Sequence, residues 1–375
     1  MKPERKKMAI TAFPRALAAM VFTAVFLCSA LATAQTEGQV RSQGRVITPD
    51  ENPAPTIGPI GPLFEPREEM RKFIQNISTF ARRYRRNFTV ITQNGLALLT
   101  KSDSGDETQA LPARTYMRSI DGVLQEAMFY GLPEMDKPTT KDRRDALLNL
   151  AGVAKKGGVK VLVLDYAKTP KTIDAAYRAS RAKGLVGFVA PAVGLEINAV
   201  PRYPRYPAGA NSTSIISLKS IKNFLYIRDS SAFGRQDEFA LKLHGNNFDA
   251  VVVDIFHRIG EPLSKRAVET LKFKKLGARR LVLAYLNIGA AESHRSYWKS
   301  HWREGSPLWI SAPYPGDADK YFVEFWRPEW RNIINGNADS YIYGIVKQGF
   351  DGVVLDGVDA YRYFEGGMEA VEVVR

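Results

Sequence analysis

A (β/α)8 barrel is what this sequence predicts, with an open doubly wound α/β sheet as the alternative. Three observations point there. Eight short apolar runs alternate with segments of helical periodicity. The runs lack a polar face, as strands buried on both sides of a parallel sheet do. Several of them end in a polar residue, where sheets of this class place their chemistry.

In chain order, Arg67 to Arg86 carries Met70, Phe73, Ile74, Ile77, Phe80, Ala81 and Tyr84 at helical spacing, an amphipathic helix. The pairs Arg82-Arg83 and Arg85-Arg86 then fall on its solvated face. Strands follow at Phe88 to Thr92, Ser119 to Val123, Val159 to Leu164 and Leu185 to Val189, with helices near Lys141 to Lys155 and Thr172 to Lys183. Residues 191–222 break the rhythm with Pro201, Pro204 and Pro207 among tyrosines and arginines, a long connection or a sugar-stacking surface. Alternation resumes with strands at Phe224 to Ile227, Ala250 to Ile255 and Leu281 to Leu286, and helices near Gln236 to Leu243 and Lys265 to Leu276. An aromatic-rich insertion from Trp298 to Trp330 reads as loop, and a helix near Arg331 to Lys347 leads to the last strand at Val353.

Ahead of these elements, Lys2, Arg5, Lys6, Lys7 and Arg15 precede an apolar stretch and Ala32-Thr33-Ala34, the pattern of a secretory signal peptide over 1–34. The alternative is an uncleaved anchor, against which the apolar run falls short of the roughly 20 residues a membrane span needs. Residues 35–66 are polar and punctuated by six prolines, an extended linker before a single barrel at 67–375. The expected location is secreted or periplasmic, with no integral membrane span after cleavage.

Cys28 is the only cysteine and lies in the leader, so the mature chain relies on its core rather than on disulfides. Thiolate zinc sites are excluded, the four histidines show no ligand spacing, and no metal or cofactor is implied. The formal charge of +14 includes a leader of five basic residues and Glu4, so about +10 remains. That excess suits an anionic envelope surface. Nucleic acid is not indicated, since the basic residues are scattered and no binding motif appears.

Chemistry concentrates at the strand ends. In a barrel, Asn94, Glu126, Asp165, Asp254, Tyr285, Asn287 and Asp356 would point into one mouth. A lone strand-end Asp such as Asp356 could equally cap a helix or make a turn. Beyond the proposed leader the sequence has no G-x-S-x-G, no thiol and no phosphate loop. Paired carboxylates with aromatics remain, the equipment for cutting a glycosidic bond, where one acid protonates the leaving oxygen and another supports the electron-poor carbon. A carboxyl separation of roughly 5–5.5 Å would mark a retaining enzyme and roughly 6.5–9.5 Å an inverting one.

Several motifs resemble glycoside hydrolase family 114, the endo-α-1,4-polygalactosaminidase-like barrels. Residues 248–254 (Phe-Asp-Ala-Val-Val-Val-Asp), 284–298, 325–330 and 349–356 are similar to the first half of that domain. Residues 92–95 (Thr-Gln-Asn-Gly), 120–130, 163–166 and 187–190 look like its second half. The halves stand in swapped order, which implies a circular permutation with 67–190 and 223–375 exchanged and 191–222 as the new joint. Two unrelated half-domains are the alternative. The resemblance implies Asp356 as nucleophile or charge stabiliser and Glu126 as general acid/base. It implies substrate-binding roles for Asp254, Tyr285, Glu292, Asn94, Asp165, Tyr166, Asp359, Trp298 and Trp326, on a polysaccharide, with galactosamine polymers as the family's namesake. The family's Gly-Glu-Ala-Glu is Gly-Ala-Ala-Glu here (289–292), so Ala290 removes one carboxylate from the mouth. A non-catalytic carbohydrate-binding barrel is the second reading.

Overall fold

The computed structural model describes residues 64–101, 110–258 and 260–366. The proposed leader and all but the end of the proline-rich linker lie outside them. Eight parallel strands, each of residues that favour a pleated and buried backbone, follow one another around the sheet in chain order. They are β1 (Thr89–Gln93), β2 (Gly122–Glu126), β3 (Lys160–Tyr166), β4 (Val186–Ala190), β5 (Phe224–Ile227), β6 (Ala250–Asp254), β7 (Leu281–Asn287) and β8 (Gly352–Asp356). The last strand returns to the first, with Thr89 level with Gly352 and Thr92 with Leu355. An open doubly wound sheet cannot make that pairing, so the architecture is a (β/α)8 barrel. Between β4 and β5 no ladder forms, and the barrel is nearly rather than fully closed. Side chains bridge that seam instead, the Phe188 ring lying 5.6 Å from Phe224 and 6.4 Å from Phe248.

Side-chain alternation along a strand sorts the residues into inward and outward sets. The Tyr226 hydroxyl donates to Gln93 Oε1 at 2.9 Å, joining β5 to β1 across the diameter. Both side chains therefore point inward. Through the register Tyr226↔Val252, Asp254↔Tyr285 and Asn287↔Asp356, the inward set also contains Asp254, Tyr285, Asn287 and Asp356. On the other side Gln93↔Leu124 and Glu126↔Leu164 add Glu126 and Tyr166.

The outer layer is helical. Helix α1 (Pro66–Tyr84) starts on a proline, whose fixed φ suits the first turn, and has Glu68 and Glu69 in its first turn and Arg82 and Arg83 in its last, matching the helix dipole. Around the barrel run α2 (Arg114–Ser119), α3 (Lys141–Lys156), α4 (Pro170–Ala182), α5 (Gln236–His244), α6 (Lys265–Leu271), α7 (Pro328–Ile334), α8 (Tyr341–Gln348) and α9 (Tyr361–Phe364). Helix α1 comes before β1, yet it meets α9 after β8, where Arg67 pairs with Glu365 at 3.3 Å.

Three expectations change. The second strand begins at Gly122 rather than Ser119, which ends α2. The helix expected over 331–347 is two helices, α7 and α8, parted where Gly336 takes φ +109°. The insertion is not a loop. Ala290–Glu292, Ile310–Tyr314 and Asp317–Val323 form an antiparallel sheet with the last of these in the middle. Tyr314 stands at its hairpin turn, its ring against Phe322, which stacks on Tyr363.

At the barrel's lower end, basic residues serve the frame rather than the solvent. Arg85 donates to the carbonyl of Phe350 at 2.9 Å and pairs with Asp351, and Arg82 meets Asp121 at 2.9 Å. The seam connection 191–223 is held by a wholly buried ion pair. Lys274 Nζ lies 2.6 Å from Asp249 Oδ1 and also donates to the Thr213 carbonyl, while Asp249 Oδ2 accepts from Lys222 N at 2.7 Å.

Candidate active site

At the top of β8, Asp356 Oδ2 accepts a hydrogen bond from the Tyr285 hydroxyl of β7. At the top of β2, Glu126 is held by two donors. Asn94 Nδ2 reaches Oε2 at 2.6 Å, and the Tyr166 hydroxyl bonds Oε1. Asn94, at φ +57° just past β1, is itself fixed by Gln125 Nε2 at 3.0 Å and by the Glu126 amide at 3.1 Å, both onto Oδ1. Only β1 separates the strands that carry the two acids, and both acids stand on the inward face. Burial pushes the Glu126 carboxyl up from its ordinary range and the charge of Asp356 pushes it further, against the lowering effect of Tyr166, Asn94 and Gln93. Asp359, in the turn after β8, is pushed up to about 7 by burial and then by Asp356. Three acids thus share one arc of the mouth, and Tyr314 of the hairpin lies within their electrostatic reach.

The opposite arc is ionic and closed on itself. Arg295 forks onto both oxygens of Asp254 at 2.8 Å each and reaches Glu292 Oε2 at 2.6 Å. Burial alone would raise Glu292, but Arg295, Lys320 and Arg228 outweigh it and hold the carboxyl down at about 2. Asn287 turns its Oδ1 to the amides of Gly289 and Ala290, at 3.0 and 2.9 Å. That turn brings Gly289 so near β8 that a Cβ there would lie 1.8 Å from the Gly357 carbonyl, so a glycine is required. Ala290 is buried in the small sheet beside it.

Of the residues expected in the mouth, Asp356, Glu126, Tyr285, Tyr166, Asn94, Asp254, Glu292 and Asp359 gather there. Asp165 does not. Tyr166 faces inward, so its neighbour faces outward, and Asp165 Oδ1 accepts the amides of Phe129 and Tyr130 at 2.9 and 3.2 Å. Trp298 stacks on Tyr321 of the small sheet at 5.3 Å, and Trp326 lies among Phe64, Phe325 and Phe364, so both belong to aromatic clusters beside the mouth. Gln93, Tyr226, Arg228, Arg295 and Tyr314 were missed. Arg228 directly follows the apolar run Phe224 to Ile227, and the strand-end rule applied there would have found it. A groove of about 670 Å³ between α5 and α6 lies away from the acids. Its His257 is buried with both ring nitrogens engaged, by Ser230 and the Gly234 carbonyl. Among the described residues no cluster of potential metal ligands occurs, and no helix is long and apolar enough to cross a membrane.

Asp165 carries a stability prediction. Its Oδ2 is buried with no hydrogen-bond partner among the described residues, and burial pushes the carboxyl up from 3.8 to about 7. The folded state then binds a proton that the unfolded state has lost, so this group's contribution is full below pH 4 and disappears as pH rises through 7. At about 1.4 kcal/mol per pH unit, the expected loss is about 2–4 kcal/mol. Urea midpoints at pH 4.5 and 7.5 should converge in Asp165→Asn relative to wild type. An unchanged difference would assign the pH dependence elsewhere.

Comparison with known proteins matches part of the chain to a family. Residues 232–372, from just before α5 to beyond α9, match the model of glycoside-hydrolase family GH114. An uncharacterised protein of Methanocaldococcus jannaschii is 34% identical over 155 residues, 41% of each chain. One from Deinococcus radiodurans is 37% identical over 120 residues, 32% of this chain and 36% of its own. Another, from Thermotoga maritima, is 28% identical over 152 residues, 40% of this chain and 45% of its own. The match thus spans less than half the length of each relative.

Proposed function

We propose, from the premise that residues 232–372 belong to glycoside-hydrolase family GH114, that this chain hydrolyses glycosidic bonds of an extracellular or envelope polysaccharide. Asp356 serves as nucleophile or charge stabiliser and Glu126 as general acid/base. The observation that carries this reading is the unequal treatment of the two carboxyls. Glu126 is buried and repelled by Asp356, which favours a proton on it, whereas Asp356 receives the Tyr285 hydroxyl and stands across β1 from it. A carboxyl that holds its proton beside a second, hydrogen-bonded carboxyl is what acid-assisted cleavage requires.

Three acids on one arc make that side of the mouth an acidic hydrogen-bonding surface although the chain as a whole is basic, and this supports a polymer of amino sugars, galactosamine among them. Asp254, Glu292, Asn94, Tyr166 and Asp359 orient the substrate or the acids, and Trp298 and Trp326 border its path. The proposed leader fits export, and the basic surface fits an anionic envelope. A circular permutation also belongs to this reading. The family match is confined to the second part of the chain, and α1 completes the barrel beside α9 as though the chain had been cut there.

Reducing-end release from de-N-acetylated and N-acetylated polymers of galactosamine and glucosamine, and from uronate polymers, tests the substrate. Release from the de-N-acetylated polymers, abolished in Glu126→Gln, is expected. Retained binding without release by the wild type would favour the carbohydrate-binding reading instead.

A further inference from the structure

We infer that Arg228 is a positioning residue for Asp356, acting through the ring of Tyr285. This rests on the role proposed for Asp356. Arg228 extends the inward row Phe224, Tyr226 and stands at the end of β5. Its guanidinium carbon lies 3.2 Å from the centroid of the Tyr285 ring, and the hydroxyl of that ring donates to Asp356 Oδ2. A cation, an aromatic face and a carboxylate are thus in series from β5 through β7 to β8.

Asp254 and Glu292 attract Arg228 from a distance, but neither pairs with it. Asp254 and Glu292 are taken by Arg295, and among the described residues Arg228 makes no ion pair. It is nine-tenths buried, and its Nε has no hydrogen-bond partner there. A guanidinium placed in that way is costly unless something compensates it. The compensation at hand is the negative face of Tyr285, a contact that strengthens as water is excluded.

The consequence reaches Asp356 by induction. A positive charge over the ring withdraws electron density from the phenol, which makes its O–H a stronger donor. The carboxyl receiving it faces two further acids, Glu126 on β2 and Asp359 in its own loop. Tyr314 on the hairpin, Tyr166 on β3 and Tyr226 on β5 are neutral. Among the described residues Tyr285 is the donor to Asp356, and Arg228, stacked on its ring, keeps that acid aimed beside Glu126.

The test compares Arg228→Met, which keeps bulk without charge, with Arg228→Lys, which restores a cation over the ring. Both should fold, as checked by thermal unfolding of the full chain. Arg228→Met should lower kcat about tenfold with KM little changed, and Arg228→Lys should recover most of it. In a Tyr285→Phe background the Arg228→Met change should have no further effect. A readout independent of turnover is the hydroxyl proton of Tyr285, assigned by its loss in Tyr285→Phe. Its downfield NMR signal should move upfield in Arg228→Met and return in Arg228→Lys. If the wild type hydrolyses nothing, the proposed activity fails while this signal still decides the coupling. An unmoved signal, or an equal kcat loss in the Tyr285→Phe background, would overturn the inference.

Discussion

Asp356→Asn and Glu126→Gln should each abolish hydrolysis, by roughly 10³-fold or more in kcat, while polymer binding survives. The two losses should differ in their pH behaviour. In the role proposed for it Glu126 works with a proton on it, and burial and Asp356 raise the pH at which that proton leaves. Wild-type kcat/KM should therefore fall on the alkaline side as Glu126 ionises, and this limb should vanish in Glu126→Gln, which cannot titrate. In Asp356→Asn the repulsion on Glu126 is gone, so whatever activity remains should lose its alkaline limb at a lower pH than wild type. The pH dependence of reducing-end release from the best substrate measures both. An alkaline limb that persists in Glu126→Gln would remove this residue from the general-acid role.

The second large effect is on stability. Asp249→Ala should destabilise the protein by about 3–5 kcal/mol, because it strands the Lys274 ammonium in a site from which water is excluded. Both side chains are fully buried at 2.6 Å, and the pair gathers the backbone of Lys222 and Thr213 around it. Replacing both partners, as in Asp249→Leu with Lys274→Met, removes the stranded charge and should recover much of the loss. What it would not recover is the tether on 191–223, so the double variant should show raised proteolytic sensitivity in that connection. Chemical unfolding by urea checks the energies, and an Asp249→Ala cost under about 1 kcal/mol would show that the pair contributes little.

The barrel was legible because its strands are apolar on both faces, a signal that survives without any knowledge of neighbours. Val251 to Val253 and Leu281 to Leu286 could hardly be anything else. What was harder to read depended on parity or on contacts between distant segments. Asp165 and Tyr166 are adjacent polar residues closing one strand, and alternation admits only one of them to the interior. Nothing local to Val-Leu-Asp-Tyr says which, since the choice is made by the pairing Glu126↔Leu164. The hairpin at 310–323 was read as loop because its burial is mixed and its aromatic residues pack against the body rather than in a sheet interior. Arg85 looked like surface charge, and only the fold reveals that the carbonyls of Gly349 and Phe350 lie within its reach. The acid pair was legible at the level of strand ends, and its partners Asn94 and Tyr285 were already among the residues singled out.

The unladdered junction between β4 and β5 makes the sheet a ribbon bent into a ring, not a hoop. Breathing motions of such a ribbon start at its free margins, so amides along Val186–Ala190 and Phe224–Ile227 should be the first of the barrel strands to trade hydrogen for deuterium. Asp356 and Glu126 flank β1 on the far side of the circumference, where each strand has a neighbour on both sides. The arrangement of the two acids is thereby insulated from the margin where the ladder is missing.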